Sequence, residues 1–260
     1  LPAADLLPAV AQIAAEAAQM ALARWRTDFR RWEKEAGSPV CEVDLDVDNM
    51  LRSRLAALLP DAGWLSEETA DAPDRLACRR IWVVDPIDGT RDYIRGREGW
   101  AVSVALIEDG QVVLGVLDAP ARDERWSAVL GQGAWRNGVR LAAGPRDTLT
   151  GARVPADVLP RADRDFVAVA KPNSIALRIA MVAADQADLV ATLRWGNEWD
   201  IAAAVLIASE AGAGVSDALG QKLGFNKPDP QAFGVLVTAP ALHAATVARL
   251  AERAGTLARG

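Results

Sequence analysis

Histidine is almost missing from this chain. The 260 residues hold one, His243, in an alanine-rich stretch that reads as a helical tail. A histidine-based triad and a histidine-rich zinc site are thereby all but excluded, and catalysis falls to carboxylates, hydroxyls or metals. The two cysteines, Cys41 and Cys78, are too few for a disulfide framework and read as reduced thiols of a cytoplasmic protein. No apolar run approaches the ~20 residues of a membrane span. The opening "LPAADLLPAV" lacks the basic start of a signal peptide. Basic charge is not in excess either: 29 Lys and Arg stand against 35 Asp and Glu, a net charge of −6. That argues against a nucleic-acid polymer as partner. A small anionic substrate stays open, because local charge decides binding and a metal can reverse it. There is no glycine-rich dinucleotide fingerprint, no internal repeat and no low-complexity tract beyond alanine enrichment. What remains is an ordinary globular composition, 51% hydrophobic and 25% charged, long enough for one large domain or two small ones.

The periodicities outline that core. Val10, Ile13, Ala14, Ala17, Ala21 and Trp25 fall at helical spacing. A second helix is expected from Asp44 to Leu59, with Val47, Leu51, Leu55 and Leu58 on one stripe and Pro60 as its stop. Two hairpins follow. "WAVSVALIEDGQVVLGVLDAP" turns around Asp109-Gly110, and "RWSAVLGQGAWRNGVRL" turns at Asn137-Gly138. The Pro-, Asp- and Arg-rich "AAGPRDTLTGARVPADVLPRADRD" marks a boundary, giving subdomains 1–145 and 146–260. Beyond it, strands at "FVAVA", "ADLVATL" and "FGVLVTAP" alternate with helices at "SIALRIAMVAADQ", "DIAAAVLIASEAG" and "ALHAATVARLAERA". Interleaved strands and helices predict a layered α/β fold.

Acids collect at the mouths of these buried elements. In "IWVVDPIDGT", four apolar residues run into Asp85 and Asp88 with Pro86 between them. Proline restricts the backbone there, and Gly89 permits a sharp turn or a close ligand approach. Two carboxylates so close repel unless a cation intervenes, and magnesium takes such oxygens. The plainer reading is an Asp-Pro turn with Asp88 capping a helix. Glu67 and Glu68 end a second apolar stretch, "WLSEET". Asp44 and Asp200 each open a predicted helix, where each has a plainer reading as an N-cap. In layered α/β folds such mouths converge on one site. Gly89 and Thr90 begin a short helix, "TRDYIRG", whose free N–H groups suit a phosphate. Metals on one side and N–H donors on the other suit phosphoryl transfer to water, with Thr90 and Glu67 orienting and deprotonating that water. The alternating acids Asp44, Asp46 and Asp48 lack the glycine and the closing glutamate of a calcium loop. They divide instead between Asp44 at the site and a solvated helix start.

"SEET", "WVVDPIDGT" and "EWDIAAA", in that order and spacing, resemble the motifs of the inositol monophosphatase superfamily. "GSPVCEVDLDVDNML" and "FNKPDPQAFGVLV" extend the resemblance over nearly the whole chain. It implies a magnesium-dependent, lithium-sensitive phosphatase on a five-layer α-β-α-β-α sandwich, commonly dimeric, with two or three Mg²⁺ ions. Glu67 matches a metal ligand that helps activate water, and Asp85 an aspartate that bridges two metals. Ile87 matches a carbonyl ligand, and Asp88 and Asp200 the remaining carboxylate ligands. Thr90 matches the hydroxyl that works with the glutamate, Asp44 an acid that holds waters around a third metal, and Gly89 with Thr90 the phosphate-binding backbone. Asp88 and Asp200 also border the substrate. Three positions depart from the pattern: Cys41 stands where threonine is usual, Ala204 where glycine is usual, and "KPNSIALR" replaces a Gly-Ser or Gly-Thr helix start. The last leaves Asn173 and Ser174 at that place, with Ser174 the candidate substrate contact.

The substrate is read from the segment before Asp200. Inositol phosphatases carry a glutamate there to bind ring hydroxyls. Near Thr192 this chain has no acid and offers Arg194 instead, as the 3′(2′),5′-bisphosphate nucleotidases do. Arg194 is a forked donor suited to a second phosphate, with Lys171 a second candidate. Trp195 and Trp199 are candidates for an adenine face, although nine tryptophans make core packing the commoner role. The expected substrate is 3′-phosphoadenosine 5′-phosphate, and the alternative is an inositol or sugar phosphate. A non-catalytic binding protein on this fold would be expected to have lost a ligand acid or the threonine, and this chain keeps them.

Overall fold

The computed structural model describes residues 1–35 and 38–259, so Gly37 of the "GSPV" run lies outside it. Helix α1 (Ala3–Arg24) leads into a hairpin of β1 (Arg31–Glu35) and β2 (Ser38–Cys41), then helix α2 (Glu42–Leu58). Helix α1 has 22 residues and is long and apolar enough by composition to cross a membrane, which corrects the expectation that no run reaches that length. Its Leu6, Val10, Ile13, Ala14 and Ala17 are instead buried in a core with Val47 and Leu51 of α2.

Strands β3 (Gly63–Ser66) and β4 (Arg80–Asp88) pair in parallel. After the short helix α3 (Thr90–Ile94) come β5 (Ala101–Glu108), β6 (Gln111–Ala119), β7 (Glu124–Val129), β8 (Gly133–Arg136) and β9 (Val139–Arg140). They complete a seven-stranded sheet in sequence order β3 to β9, antiparallel beyond β4. The β5–β6 turn falls at Asp109-Gly110 as expected. The segment read as one hairpin turning at Asn137-Gly138 holds two turns, because Gly131 and Gly133, both at positive φ, add one between β7 and β8.

The chain then runs through β10 (Arg153–Pro155), β11 (Val167–Val169), α4 (Ile175–Ala183), β12 (Leu189–Ala191), β13 (Trp195–Asn197) and α5 (Glu198–Glu210). It closes with β14 (Gly214–Ser216), β15 (Gln231–Phe233), β16 (Leu236–Thr238) and α6 (His243–Leu257). "FGVLVTAP", expected as one strand, forms parts of two. Gly234, at φ +69°, breaks it, so β15 pairs with β13 while β16 lies between β12 and β14.

The layers follow from which faces are apolar. On β4, Trp82 and Val84 join the core under α1 and α2, while Ile81 and Val83 join the opposite core under α4 and α5. Helix α5 is buried nearly all round, from Ile201 through Ala208. Its alanines let it lie close on the sheet: a Cβ at Gly115 of β6 would come within 2.7 Å of the Ala203 carbonyl. Leu189, Leu236, Leu242 and Leu250 form a smaller core between the second sheet and α6. The order is helices, sheet, helices, sheet, helix, the expected layered α/β sandwich.

Candidate active site

The alternation that builds the core also aims the acids. Leu65 on β3 and Ile81 and Val83 on β4 face α4 and α5. Two residues beyond each stripe stand Glu67 and Asp85, on the same side. Parallel pairing sets Leu65 beside Val83, and the Glu67 N–H donates to the Val84 carbonyl at 3.3 Å, so the two acids end level. Asp200 sits in the first turn of α5, one residue before Ile201 of that same core. Ligand oxygens of Glu67, Asp85 and Asp200 lie within 4.8 Å of one another. These three, far apart in sequence, meet as expected.

Pro86 has no N–H for the ladder, and the β4–β5 register slips between Asp85, opposite Ser103, and Asp88, opposite Ala101. The bulge folds the strand end over. The Ile87 N–H donates back to Asp85 Oδ1 at 3.0 Å, and the Ile87 carbonyl lies 3.0 Å from Thr90 Oγ, whose one proton can go to it or to Asp44. Thr90 Oγ also lies 3.1 Å from Asp44 Oδ1. Gly89 at φ +96° makes the corner. A Cβ there would meet the Gly99 carbonyl at 2.6 Å and the Ser174 nitrogen at 2.9 Å, so only glycine fits.

Asp44 and Asp200 are not N-caps. Each occupies the third helical position and accepts the backbone N–H of the cap residue: Asp44 Oδ2 from Cys41 at 2.8 Å, Asp200 Oδ2 from Asn197 at 3.2 Å. One oxygen of each acid is thus held by its own helix; the other faces Thr90 Oγ in Asp44 and the cleft in Asp200. The Cys41 thiol donates to the same Asp44 oxygen at 2.9 Å, doing there what a threonine hydroxyl would do. Asp48 is not solvated, as the sequence suggested, but buried, accepting from Ser66 Oγ at 2.5 Å and Thr69 Oγ at 2.7 Å. It ties the end of β3 to α2.

Asp88 lines the same cleft, with Oδ2 engaged by the start of α4. That oxygen accepts from Ser174 Oγ at 2.5 Å and the Ala176 N–H at 2.7 Å, while Oδ1 has a single long contact, 3.4 Å to the Ile175 N–H. Ser174 is fully buried and caps α4, its hydroxyl also accepting from the Leu177 N–H at 2.9 Å. The expected substrate contact at Ser174 is therefore corrected to a structural one, and Asn173 faces the cleft in its place. Lys171 pairs with Asp157 at 2.6 Å and is absent from the cleft lining. Trp199 packs against the core, whereas Trp195 is 55% exposed. The distant "FNKPDP" segment joins the site's framework through buried Glu198, which accepts from the Asn226 N–H at 2.7 Å and the Lys227 N–H at 3.2 Å.

The cleft holds about 680 Å³ and brings together Glu67, Asp85, Asp88, Thr90 and Asp200 with Arg178 and Arg194. Burial is the first cause that lifts the carboxyls above their ordinary range. Glu67 is pushed up to about 8, with Asp200 adding repulsion, and Asp200 to about 7, with Asp88 adding to it. Asp85, fully enclosed, is raised well above normal by burial and then by its acidic neighbours. Three acids with oxygens within 4.8 Å of one another, which resist ionising together, suit a shared cation, and hard oxygen donors suit Mg²⁺. The residues present fit the metal.

Two cations were missed in the sequence. Lys34, on β1, donates to the Glu67 carbonyl at 3.2 Å and forms an ion pair with buried Glu68. Nothing in the sequence pointed Lys34 at the acids. Arg178, on α4, donates Nε to the Ser174 carbonyl at 3.2 Å and an Nη to the Asn173 carbonyl at 2.7 Å. Helical spacing from Ser174 was its only signal.

The comparisons with known proteins bear on this geometry. Residues 4–256 match the model of the inositol monophosphatase family. The chain belongs to the inositol monophosphatase family. It is 34% identical over 201 residues to a "fructose-1,6-bisphosphatase/inositol-1-monophosphatase" of Thermotoga maritima, covering 73% of this chain and 76% of that protein. It is 35% identical over 207 residues to the 3′(2′),5′-bisphosphate nucleotidase CysQ of Escherichia coli K12, covering 74% and 81%. Among solved structures, an IMPase from Thermotoga maritima superposes with a TM-score of 0.83 at 27% identity, covering 97% of this chain and 99% of that one. The chain is thus a magnesium-dependent phosphoric monoester hydrolase acting on small phosphate esters.

Proposed function

We propose that this phosphatase acts on esters that carry a second phosphate, foremost 3′-phosphoadenosine 5′-phosphate. The observation that supports the reading is Arg194. Its guanidinium lines the cleft of the acids and has no hydrogen-bond or ion-pair partner among the described residues. Arg178 faces the same space with carbonyl partners and no carboxylate. Two forked donors opposite a metal site suit a substrate with two anionic ends.

In this reading Glu67, Asp85, Asp88, Asp200 and the Ile87 carbonyl would hold two or three Mg²⁺ ions, which would supply charge neutralisation and activation of the attacking water. Glu67 accepts the water's proton. Thr90 aligns that water with its oxygen, its own proton directed to Asp44. The backbone of Gly89 and Thr90, at the start of α3, takes a phosphate oxygen. The division near residue 145, drawn from the Pro-, Asp- and Arg-rich segment, a cytoplasmic location, drawn from the two cysteines, and lithium inhibition and a homodimer, implied by the family resemblance, belong to the same proposal. A second reading, a sugar or inositol phosphate, draws on the name of the Thermotoga relative. A non-catalytic binding role is disfavoured because no candidate ligand acid is missing.

Initial rates on 3′-phosphoadenosine 5′-phosphate and inositol 1-phosphate, with purified protein and Mg²⁺, test the proposal. A clear preference for inositol phosphate overturns it. Arg194→Gln should raise KM for the bisphosphate roughly tenfold or more, as expected for a lost charged hydrogen bond, and leave KM for adenosine 3′-phosphate within about twofold.

A further inference from the structure

A second recess, of about 310 Å³, opens beside the acid cluster and shares Ile175, Arg194 and Asp200 with the cleft. Trp195, Ile201 and Val235 form its other walls. Trp195 is not core, although most of the chain's tryptophans are at least partly enclosed. It stands edge-on against Phe233, ring centroids 5.5 Å apart at 65°, and β13–β15 pairing sets those two residues opposite each other. The ring is therefore held, yet more than half of the residue is open.

The remaining walls are just as fixed. A Cβ at Gly234 would come within 2.0 Å of the Thr192 carbonyl, so glycine lets β15 and the 192–194 segment close up. Thr192 Oγ accepts from the Val235 N–H at 2.9 Å. The recess thus offers an aromatic face, aliphatic walls, and Arg194 and Asp200 at its junction with the cleft. A ring of hydroxyls would find partners only along the Thr192, Arg194 and Asp200 side and would leave its other hydroxyls unpaired against Trp195, Ile201 and Val235, at a cost in binding. A flat heteroaromatic ring would find a surface to stack on.

We propose that Trp195 is a specificity-determining residue that stacks on the nucleobase of the substrate's leaving group, so that the recess selects a nucleotide over a cyclic polyol phosphate. The proposal rests on the phosphatase reading above and names the residue that sets its substrate class. The test compares wild type, Trp195→Ala and Trp195→Phe on 3′-phosphoadenosine 5′-phosphate and on fructose 1,6-bisphosphate, which also has two phosphates but no base. Trp195→Ala should raise KM for the nucleotide about tenfold, leave KM for the sugar bisphosphate unchanged, and keep p-nitrophenyl phosphate hydrolysis. Trp195→Phe should recover most of the nucleotide KM and stands in if the alanine variant does not fold. Equal KM changes on both bisphosphates, or none on the nucleotide, overturn the proposal. Saturation-transfer NMR with adenosine 5′-phosphate adds an arm free of turnover: transfer to the base protons should be present in wild type and lost in Trp195→Ala. If wild type hydrolyses no ester, the phosphatase reading falls and this arm alone judges Trp195, with equal transfer in both proteins overturning the stacking role.

Discussion

Asp200→Asn should make the metal-free protein more stable at pH 8 while removing its activity. The reasoning starts from Glu67 at about 8 and Asp200 at about 7, both lifted first by burial and then by neighbouring acids. An acid whose folded pKa lies above its unfolded value holds a proton that the unfolded chain releases. Stability is then full below the unfolded value, about 4.5 for glutamate, and is lost as pH rises toward the folded one. One proton retained across pH 5 to 8 is worth about 3 kcal/mol at 1.36 kcal/mol per unit. For a chain of this size that is roughly 6–12 °C in Tm. Calorimetry in EDTA should therefore show Tm falling by about that much from pH 5 to 8, and Mg²⁺ should restore it most strongly at pH 8. Asparagine keeps an oxygen for the Asn197 N–H but carries no charge, so the variant should show a shallower pH slope and a much smaller response to Mg²⁺. An unchanged slope together with an unchanged Mg²⁺ response would refute the clustering of charge at this site. Unchanged phosphatase activity would refute the role of Asp200 as a ligand.

Two further outcomes follow from local geometry. Thr90→Ala removes the hydroxyl between Asp44 and the Ile87 carbonyl; kcat should drop by about 10²-fold or more, with KM and Tm little changed. Gly89→Ala forces a side chain into left-handed backbone against the Gly99 carbonyl, so Tm should fall by several degrees, about 2 kcal/mol or more, and activity with it.

Much of the site was legible because its acids continue core periodicities. Leu65 and Val83 are unambiguous strand residues, so the direction of Glu67 and Asp85 two positions later follows from alternation. The plainer reading of Asp44 and Asp200 as caps was close in place and wrong in position, since both sit three residues inside a helix whose cap is Cys41 or Asn197. Sequence could not separate Trp195 from Trp199: both are aromatic and four positions apart, and only the β13–β15 pairing leaves one outside the core. Ser174 looked like a ligand contact because a polar residue starts a helix near the cleft, yet the same position suits a cap, and its hydrogen bonds go to Asp88 and Leu177. Lys34 and Arg178 stayed hidden because their partners, Glu68 and the carbonyls of residues 173 and 174, are set by tertiary approach or by a loop path. Likewise Gly234 looked like an ordinary residue within a strand until its positive φ divided that strand between two sheets.

Helix α5 lies between the two sheets and brings Asp200 to acids that end strands β3 and β4. Neither partner alone assembles a binding centre, so the cleft is completed only when a long-range interface closes. In refolding, recovery of magnesium affinity should therefore lag the formation of secondary structure, and turnover becomes a clock for the final docking of that helix.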